Sequence, residues 1–406
     1  MKLLTSRTRP LPEGVADLLG RLGPDGFAWL RNGCGLVTAG VAARIPVGPG
    51  AGRFEQAADD LARFFAAIEI DDTVDVPGTG PLAVGALPFS DSSPGELVIP
   101  AVVVGRDAAG TAWITEIDPA RVPAPAGLAP GGVNGVSFSA KEHPDKDEWT
   151  ANVRRVLGAI GAGHVRKVVL AREVVLEGDK PFDRRALLER LGRSHPTCFT
   201  YAAGGFVGAS PELLVRRLGD EVESCPMAGT VARGATPGED DALVDALSHS
   251  AKDAEEHALL VDAVVDALAP LCTEGPDHAG AEVVRLPTVS HLATRVRGRL
   301  AAPAPSVLSL AGKLHPTPAV GGIPRPAALA AIATLEGFDR GLYAGPVGWV
   351  DAHGEGEWAV ALRGAELDGS RARLVAGAGI VAGSDPDAEW AETEAKLQAM
   401  LSAVRA

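Results

Sequence analysis

A lysine at the head of an apolar strand face, a carboxyl in a small-residue turn and two acidic helical stripes are the residues of this sequence best suited to chemistry. In KVVLAREVVL, alternation at a period of two puts Lys167, Val169 and Ala171 on one face and Val168, Leu170 and Arg172 on the other. Apolar surroundings disfavour an ammonium, which lowers a lysine's pKa and fits it to take a proton. A strand-end lysine reaching water is the alternative and stays open. In FVGASPELLVRR, Glu212 follows Ser210 and Pro211. A turn there can hold a carboxyl at the mouth of a strand and, if it is desolvated, keep it protonated as a general acid. An exposed glutamate at an ordinary element start is the other reading. PMAGT, residues 226–230 ending in Thr230, is a small-residue turn able to approach a ligand closely, although such turns are common without function.

The acidic stripes form two sets. In KDAEEHALLVDAV, Asp253 and Glu256 are three apart on one helical face, and in DAEWAETEAKLQAM, Glu389, Glu392 and Lys396 follow at spacings of three and four. Magnesium takes oxygen ligands, is held by one or two protein carboxylates, and keeps water and substrate in its other positions. One stripe of each helix could therefore face one ion. A solvated face with a Glu392–Lys396 pair explains the same pattern.

These residues need elements to position them. Residues 24–118 hold valine-rich stretches such as ELVIPAVVVG and TAWITEI, punctuated by glycine and proline as antiparallel strands are. Residues 118 to about 144 are rich in proline, glycine and alanine and read as a surface connection. A helix is expected over 147–163, a strand at KVVLAREVVL, and one long amphipathic helix over 240–268. Strands fit AGPVGWVD, EWAVALRGAEL and RARLVAGAGIV, with a last helix over about 386–404. The turns DAHGEG and LDGSRA favour hairpins, hence an α+β class with antiparallel sheets. The glycines of VAGAGIVAG match neither the dinucleotide fingerprint nor the P-loop.

Composition narrows the partners. Hydrophobic residues at 46% are enough for a large core, and a net charge of −14 repels nucleic acid and anionic membrane where no basic patch intervenes. An anionic substrate would need positive charge or a metal supplied within its site. Cys34, Cys198, Cys225 and Cys272 form no CxxC pair, so a reducing cytoplasm is the simplest location. The start, MKLLTSRTRPLPEG, reaches proline and glutamate before any signal-like apolar region, and no apolar run of membrane-spanning length follows.

Taken in order, KVVLAR, GASPELL, PMAGT, KDAEEH, LHPTPAVGG, RGLYAGPVGW, ALRGAEL, AGAGIV and EWAETEAK resemble the chorismate-utilising family, which includes isochorismate, salicylate, anthranilate and aminodeoxychorismate synthases. The resemblance runs from about Lys167 to Lys396. It implies one α+β domain over 1–406, with a variable part at 1–143 and a catalytic part at 144–406. Large antiparallel sheets would pack as a sandwich, helices outside, with chorismate and magnesium in a deep cleft. By residue, it implies Lys167 as the base that activates water and Glu212 as the acid that protonates the departing C4 hydroxyl. Glu256 and Glu392 match magnesium ligands, and Asp253 and Glu389 the acidic positions that hold its water. Arg363 and Lys396 match the residues that pair with substrate carboxylates. Tyr343, Thr230, His315, Ala319, Gly377 and Gly379 match further substrate contacts. His291 and His315 match positions lining the pocket, a structural role being equally open to them.

Within that family the nucleophile is set by position 167. Ammonia-adding members carry a glutamine-like residue there and depend on a glutamine amidotransferase, whereas this chain has lysine and no clear LLES-type motif near its start. Water addition, giving isochorismate without an amidotransferase subunit, is the expected reaction, by a monomer. LHPTPAVGG is similar to the isochorismate-forming version, whereas Tyr343 is similar to the salicylate-forming members.

Overall fold

A computed structural model of the chain describes residues 4–12, 17–118 and 136–405, so most of the expected surface connection lies outside the described residues. Two long strands, Cys34–Val47 and Gly95–Arg106, pair antiparallel along their length. Pro100, which has no N–H to give, stands opposite a register shift between Val41 and Ala43. Such a bulge bends the pair, and its two halves serve different neighbours. Gly95–Arg106 meets Ala112–Asp118 from Val102 to Arg106, and meets Leu82–Ala86 at Val98.

The hydrogen-bonded network divides at that point into two branches. One passes through Ala28–Arg31, Phe199–Ala203, Phe206–Ser210, Gly364–Asp368 and Arg371–Ile380 to Lys167–Gly178. The other passes through Leu82–Ala86, Pro346–Asp351, Gly356–Val360, Leu213–Leu218, Glu221–Ser224 and Val296–Leu300. The expected α+β sandwich is present, but its sheets are branches of one 20-stranded network and not separate layers. Among the described strands only Leu4–Pro10 and Ile68–Asp72 run parallel. A further sheet of three strands holds Met227–Ala232, Val289–Ala293 and Glu282–Arg285.

The branches face each other across Trp29, Phe199, Tyr201 and Phe206 from one side and Leu213, Val347 and Trp349 from the other. Each such side chain contributes roughly 1.5–3 kcal/mol of transfer free energy when fully buried. Helices Arg184–Ser194 and Pro386–Arg405 cover the outer face of the first branch through Leu188, Leu191, Leu397 and Met400. Helices Lys146–Gly161, Ala251–Leu268, Val307–Leu314 and Arg325–Leu335 pack in the remaining core. Among the described residues no helix is long and apolar enough to cross a membrane.

Three elements differ from the sequence expectation. The helix expected over 240–268 is two, Pro237–His249 and Ala251–Leu268. Ser250 adopts an extended conformation between them and its hydroxyl accepts from the Asp253 N–H, a cap that starts a new helix. A helix, Arg53–Ala66, interrupts the strand-rich first part, burying Phe54, Ala57, Leu61 and Phe65 at spacings of three and four. EWAVALRGAEL is two strands, Gly356–Val360 and Gly364–Asp368, one in each branch.

Candidate active site

The strand switch just described builds the site. Phe206–Ser210 belongs to the first branch and Leu213–Leu218 to the second, so residues 211–212 cross between them, as residues 361–363 do in the neighbouring pair. The crossings are tied together: Val360 N donates to Glu212 O (3.1 Å), Ala209 N to Arg363 O (3.3 Å), and Ser210 Oγ to Val360 O (2.5 Å). Arg363 has φ +51, a left-handed conformation uncommon for a side chain of its size, and the ties on both flanks hold it there. Glu212 and Arg363 thus enter one cleft from adjacent corners.

Lys167 opens the strand Lys167–Gly178 and is 1% exposed, which excludes the solvent-reaching alternative. Its Nζ donates to Glu256 Oε1 at 2.7 Å. Burial raises the Glu256 carboxyl, but the charge and hydrogen bond of Lys167, with Lys396 and Lys252 beyond, hold it below the usual carboxylate range. On the last helix, Lys396 Nζ donates to Glu392 Oε1 (2.6 Å) and to Gly377 O (2.9 Å). Lys167, Glu256, Glu392 and Lys396 line the same cleft as Glu212 and Arg363. Three cations therefore meet in a protein of net charge −14.

Glu212 is 4% exposed, and burial pushes its carboxyl up to about 7, against the opposing fields of Lys167, Arg363 and Lys396. It can thus carry a proton near neutrality. His291 lies beside Arg363, and burial, then the charges of Arg363 and Lys396, lower its imidazole to about 3. The neutral ring has one arrangement that satisfies its neighbours: Nδ1–H donates to Gly229 O (3.2 Å), and Nε2 accepts from Arg363 Nη2 (3.1 Å). His291 thereby aims the guanidinium, a contact with no signature in the sequence. Thr230 Oγ1 lies 3.2 Å from the same Nδ1.

Thr230, Ala319, Tyr343, Gly377 and Gly379 also line the cleft, as expected, with Val320 of the same LHPTPAVGG motif, joined by Met227 and Leu362, which sequence reasoning did not single out. The glycines are required by proximity. A Cβ on Gly379 would lie 2.9 Å from Lys167 Cε and 3.1 Å from Glu256 Oε1; one on Gly377 would lie 3.1 Å from the Tyr343 hydroxyl. Gly379→Ala should accordingly cut kcat by at least about tenfold, since displacement of a catalytic group by about 1 Å can cost 10²-fold. Steady-state kinetics with a thermal melt checks this, and an unchanged kcat would show that the strand does not hold Lys167 in place.

His315 does not join the cleft. It caps the C-terminal end of Val307–Leu314 and packs between Phe54 and Phe89, with Nε2 3.0 Å from Phe89 O. Burial lowers its pKa to about 3, so the neutral ring donates to that carbonyl. The substrate contact expected of His315 is corrected to a core anchor lining a separate cavity of about 870 Å³. That cavity is larger than the cleft, whose free volume is about 60 Å³, but the lysine, arginine and carboxyl groups converge in the cleft.

The acidic residues divide in the same way. Glu256 and Glu392 line the cleft, whereas Asp253 sits against Gly229 and Glu389 is buried behind, neither lining it. Burial, and next the charge of Glu392, push Glu389 up to about 7. This crowding of carboxyls is what a cation relieves. Glu256 and Glu392 each spend Oε1 on a lysine, and neither Oε2 has a protein partner among the described residues. The donor set is all oxygen and suits magnesium. Among the described residues no three His, Cys, Asp or Glu side chains gather as a closed cage, which a magnesium site sharing its ion with substrate and water does not need.

A family model described as chorismate binding enzyme matches residues 130–405. The isochorismate synthase DhbC of Bacillus subtilis is 37% identical over 335 residues, covering 80% of this chain and 81% of that protein. The isochorismate synthase EntC of Escherichia coli K12 is 34% identical over 400 residues, 97% of this chain and 98% of its own. Among solved structures, MenF, the menaquinone-specific isochorismate synthase from Escherichia coli, superposes with a TM-score of 0.84 at 26% identity, covering 99% of this chain and 94% of that one.

Proposed function

The chain belongs to the chorismate-binding enzymes, and from that premise we infer that it is an isomerase converting chorismate to isochorismate. The observation that carries this reading is the convergence, in one cleft, of a buried lysine, a carboxyl that binds a proton up to about pH 7, and an arginine and a second lysine for carboxylates. Lys167, which acts as the free amine and so parts from Glu256, takes the proton of a water that attacks C2. Glu212 gives a proton to the C4 oxygen as it leaves, and the ring double bonds shift between the two carbons. Water is consumed at C2 and released at C4, so the net change is an isomerisation.

Arg363, aimed by His291, and Lys396 pair with the substrate carboxylates, and Tyr343, Thr230 and the backbone at Gly377 and Gly379 complete the wall. Glu256 and Glu392 would hold magnesium, with Asp253 and Glu389 behind them. When bound, the ion supplies charge stabilisation and a fixed point for the ring carboxylate. The same reading makes the enzyme a cytoplasmic monomer that works without a glutamine amidotransferase.

Incubation with chorismate and magnesium in ¹⁸O-labelled water, followed by separation of products, tests the assignment. Isochorismate carrying the label at C2 is expected. Salicylate as the main product would shift the reading to an enzyme that goes on to eliminate pyruvate, for which Tyr343 speaks. No product with water or ammonium would overturn it.

A further inference from the structure

The strand that carries Lys167 has a gap on one edge. Its other edge is paired with Arg371–Ile380 over ten residues, from Val168 to Glu177. On the gapped edge, Phe138–His143 covers Glu173–Gly178, the short strand Gly322–Ile323 covers Lys167 and Val168, and Val169 N donates to Gly321 O at 2.9 Å. Between these partners Val169 O and Ala171 N face no strand. Because i and i+2 groups lie on the same edge, these two are the acceptor and donor that a neighbouring strand would satisfy.

Two side chains satisfy them instead. Arg340 Nη2 donates to Val169 O, and Ala171 N donates to Glu336 Oε1, each at 2.8 Å. Arg340 Nε donates to Glu336 Oε2 at 2.8 Å, and both side chains are 2% exposed. The remaining Arg340 nitrogen, Nη1, donates to Val320 O at 2.7 Å, and the Arg340 carbonyl accepts from Tyr343 N at 3.1 Å. The Arg340 guanidinium thus touches the strand two residues beyond Lys167 and the Val320 wall of the cleft, while the residue's backbone carbonyl holds the turn that presents Tyr343. The ion pair itself need add no more stability than a well-packed apolar pair, but the backbone groups it satisfies would cost about 1–3 kcal/mol each if orphaned, so a test of its role has to read site geometry apart from stability.

We propose that Glu336 and Arg340 are positioning residues that stand in for a missing strand and set Lys167, Val320 and Tyr343 in their places around the substrate. The proposal rests on the reading that this cleft turns over chorismate, and activity of the unaltered enzyme tests that reading separately. The pair also lines the 870 Å³ cavity on its far side, a route by which a small cation can reach it.

The experiment compares Arg340→Lys, the double variant Glu336→Leu/Arg340→Met, and Arg340→Ala with and without millimolar guanidinium, reading kcat, KM and Tm. Arg340→Lys keeps the charge but loses the fork, and kcat should fall about 100-fold with KM changed less than about threefold, as misplacement of a catalytic group by about 1 Å predicts. The double variant leaves Val169 O, Val320 O and Ala171 N unpartnered, so its Tm should fall, and its kcat, read well below that Tm, should stay about as low as that of Arg340→Lys. Guanidinium should raise kcat of Arg340→Ala about tenfold or more, whereas neutral urea of the same shape should not. A kcat within about threefold of the unaltered enzyme in either the lysine or the double variant overturns the proposal, because stability alone would then explain the pair. Should the alanine or double variant fail to fold, Arg340→Lys decides the matter by its split between kcat and KM.

Discussion

Glu212→Gln should lower kcat by about 10² to 10⁴, the range spanned by loss of one general acid, with KM little changed. The amide is nearly the same shape as the protonated acid but has no proton of comparable acidity to give. In the unaltered enzyme the rate should fall as pH rises through about 7, where the buried carboxyl loses its proton, and this basic limb should vanish in the residual activity of the variant. Stability supplies an independent check with a definite sign. Because burial raises the folded-state pKa above the ordinary 4.5, the stability associated with the protonated group is complete below about pH 4.5 and is lost as pH climbs to about 7. That shift corresponds to about 3 kcal/mol between pH 4.5 and 8. Glu212→Gln should match the parent Tm at pH 4.5 and exceed it at pH 8. Rates within tenfold of the parent, with a retained basic limb, would remove Glu212 from the proton-donor role.

Loss of the base should be as severe. Lys167→Ala is expected to reduce turnover by about 10² to 10⁴, and Lys167→Arg should be equally slow although it restores a cation opposite Glu256. A guanidinium pairs with a carboxylate but does not give up its proton to serve as a base, so the arginine variant separates charge from basicity. Lys167→Ala carries a stability cost as well. Burial works against the Glu256 carboxylate, and the Lys167 ammonium more than offsets it, leaving the folded-state pKa depressed. The pair's contribution is present above the ordinary carboxylate pKa and lost as pH falls through the folded one. The alanine variant should therefore be destabilised at pH 7, by about 3 kcal/mol if the site behaves as other buried pairs do, and less so at pH 4. Kinetics well below the Tm of each variant checks the assignment, and near-normal turnover by Lys167→Arg would sink it.

The candidate residues were legible because residue type, local spacing and the order of the motifs pick them out. Lys167 at the head of an alternating strand, Glu256 on one helix and Glu392 with Lys396 on another all occupy the cleft. The strands AGPVGWVD and RARLVAGAGIV form where β-branched residues and turn glycines put them. Illegible features depended on distant neighbours. Ser250 splits a helix whose apolar periodicity reads straight through it, because a cap acts through a single hydroxyl. His315 sits beside a motif that reaches the cleft, yet packing against Phe54 and Phe89 turns its ring the other way.

Sequence by itself determined the antiparallel α+β character, the family and which side chains were candidates for the chemistry, since periodicity, turn composition and ordered motifs are local properties of the chain. Tertiary structure alone decided that the two sheets are branches of one network, that Glu212 and Arg363 stand at adjacent crossings between them, and that Glu336 and Arg340 fill a gap beside Lys167. Those facts arise from hydrogen bonds between segments more than a hundred residues apart, where the partner of a backbone group is set by the path of the whole chain and not by the residues next to it.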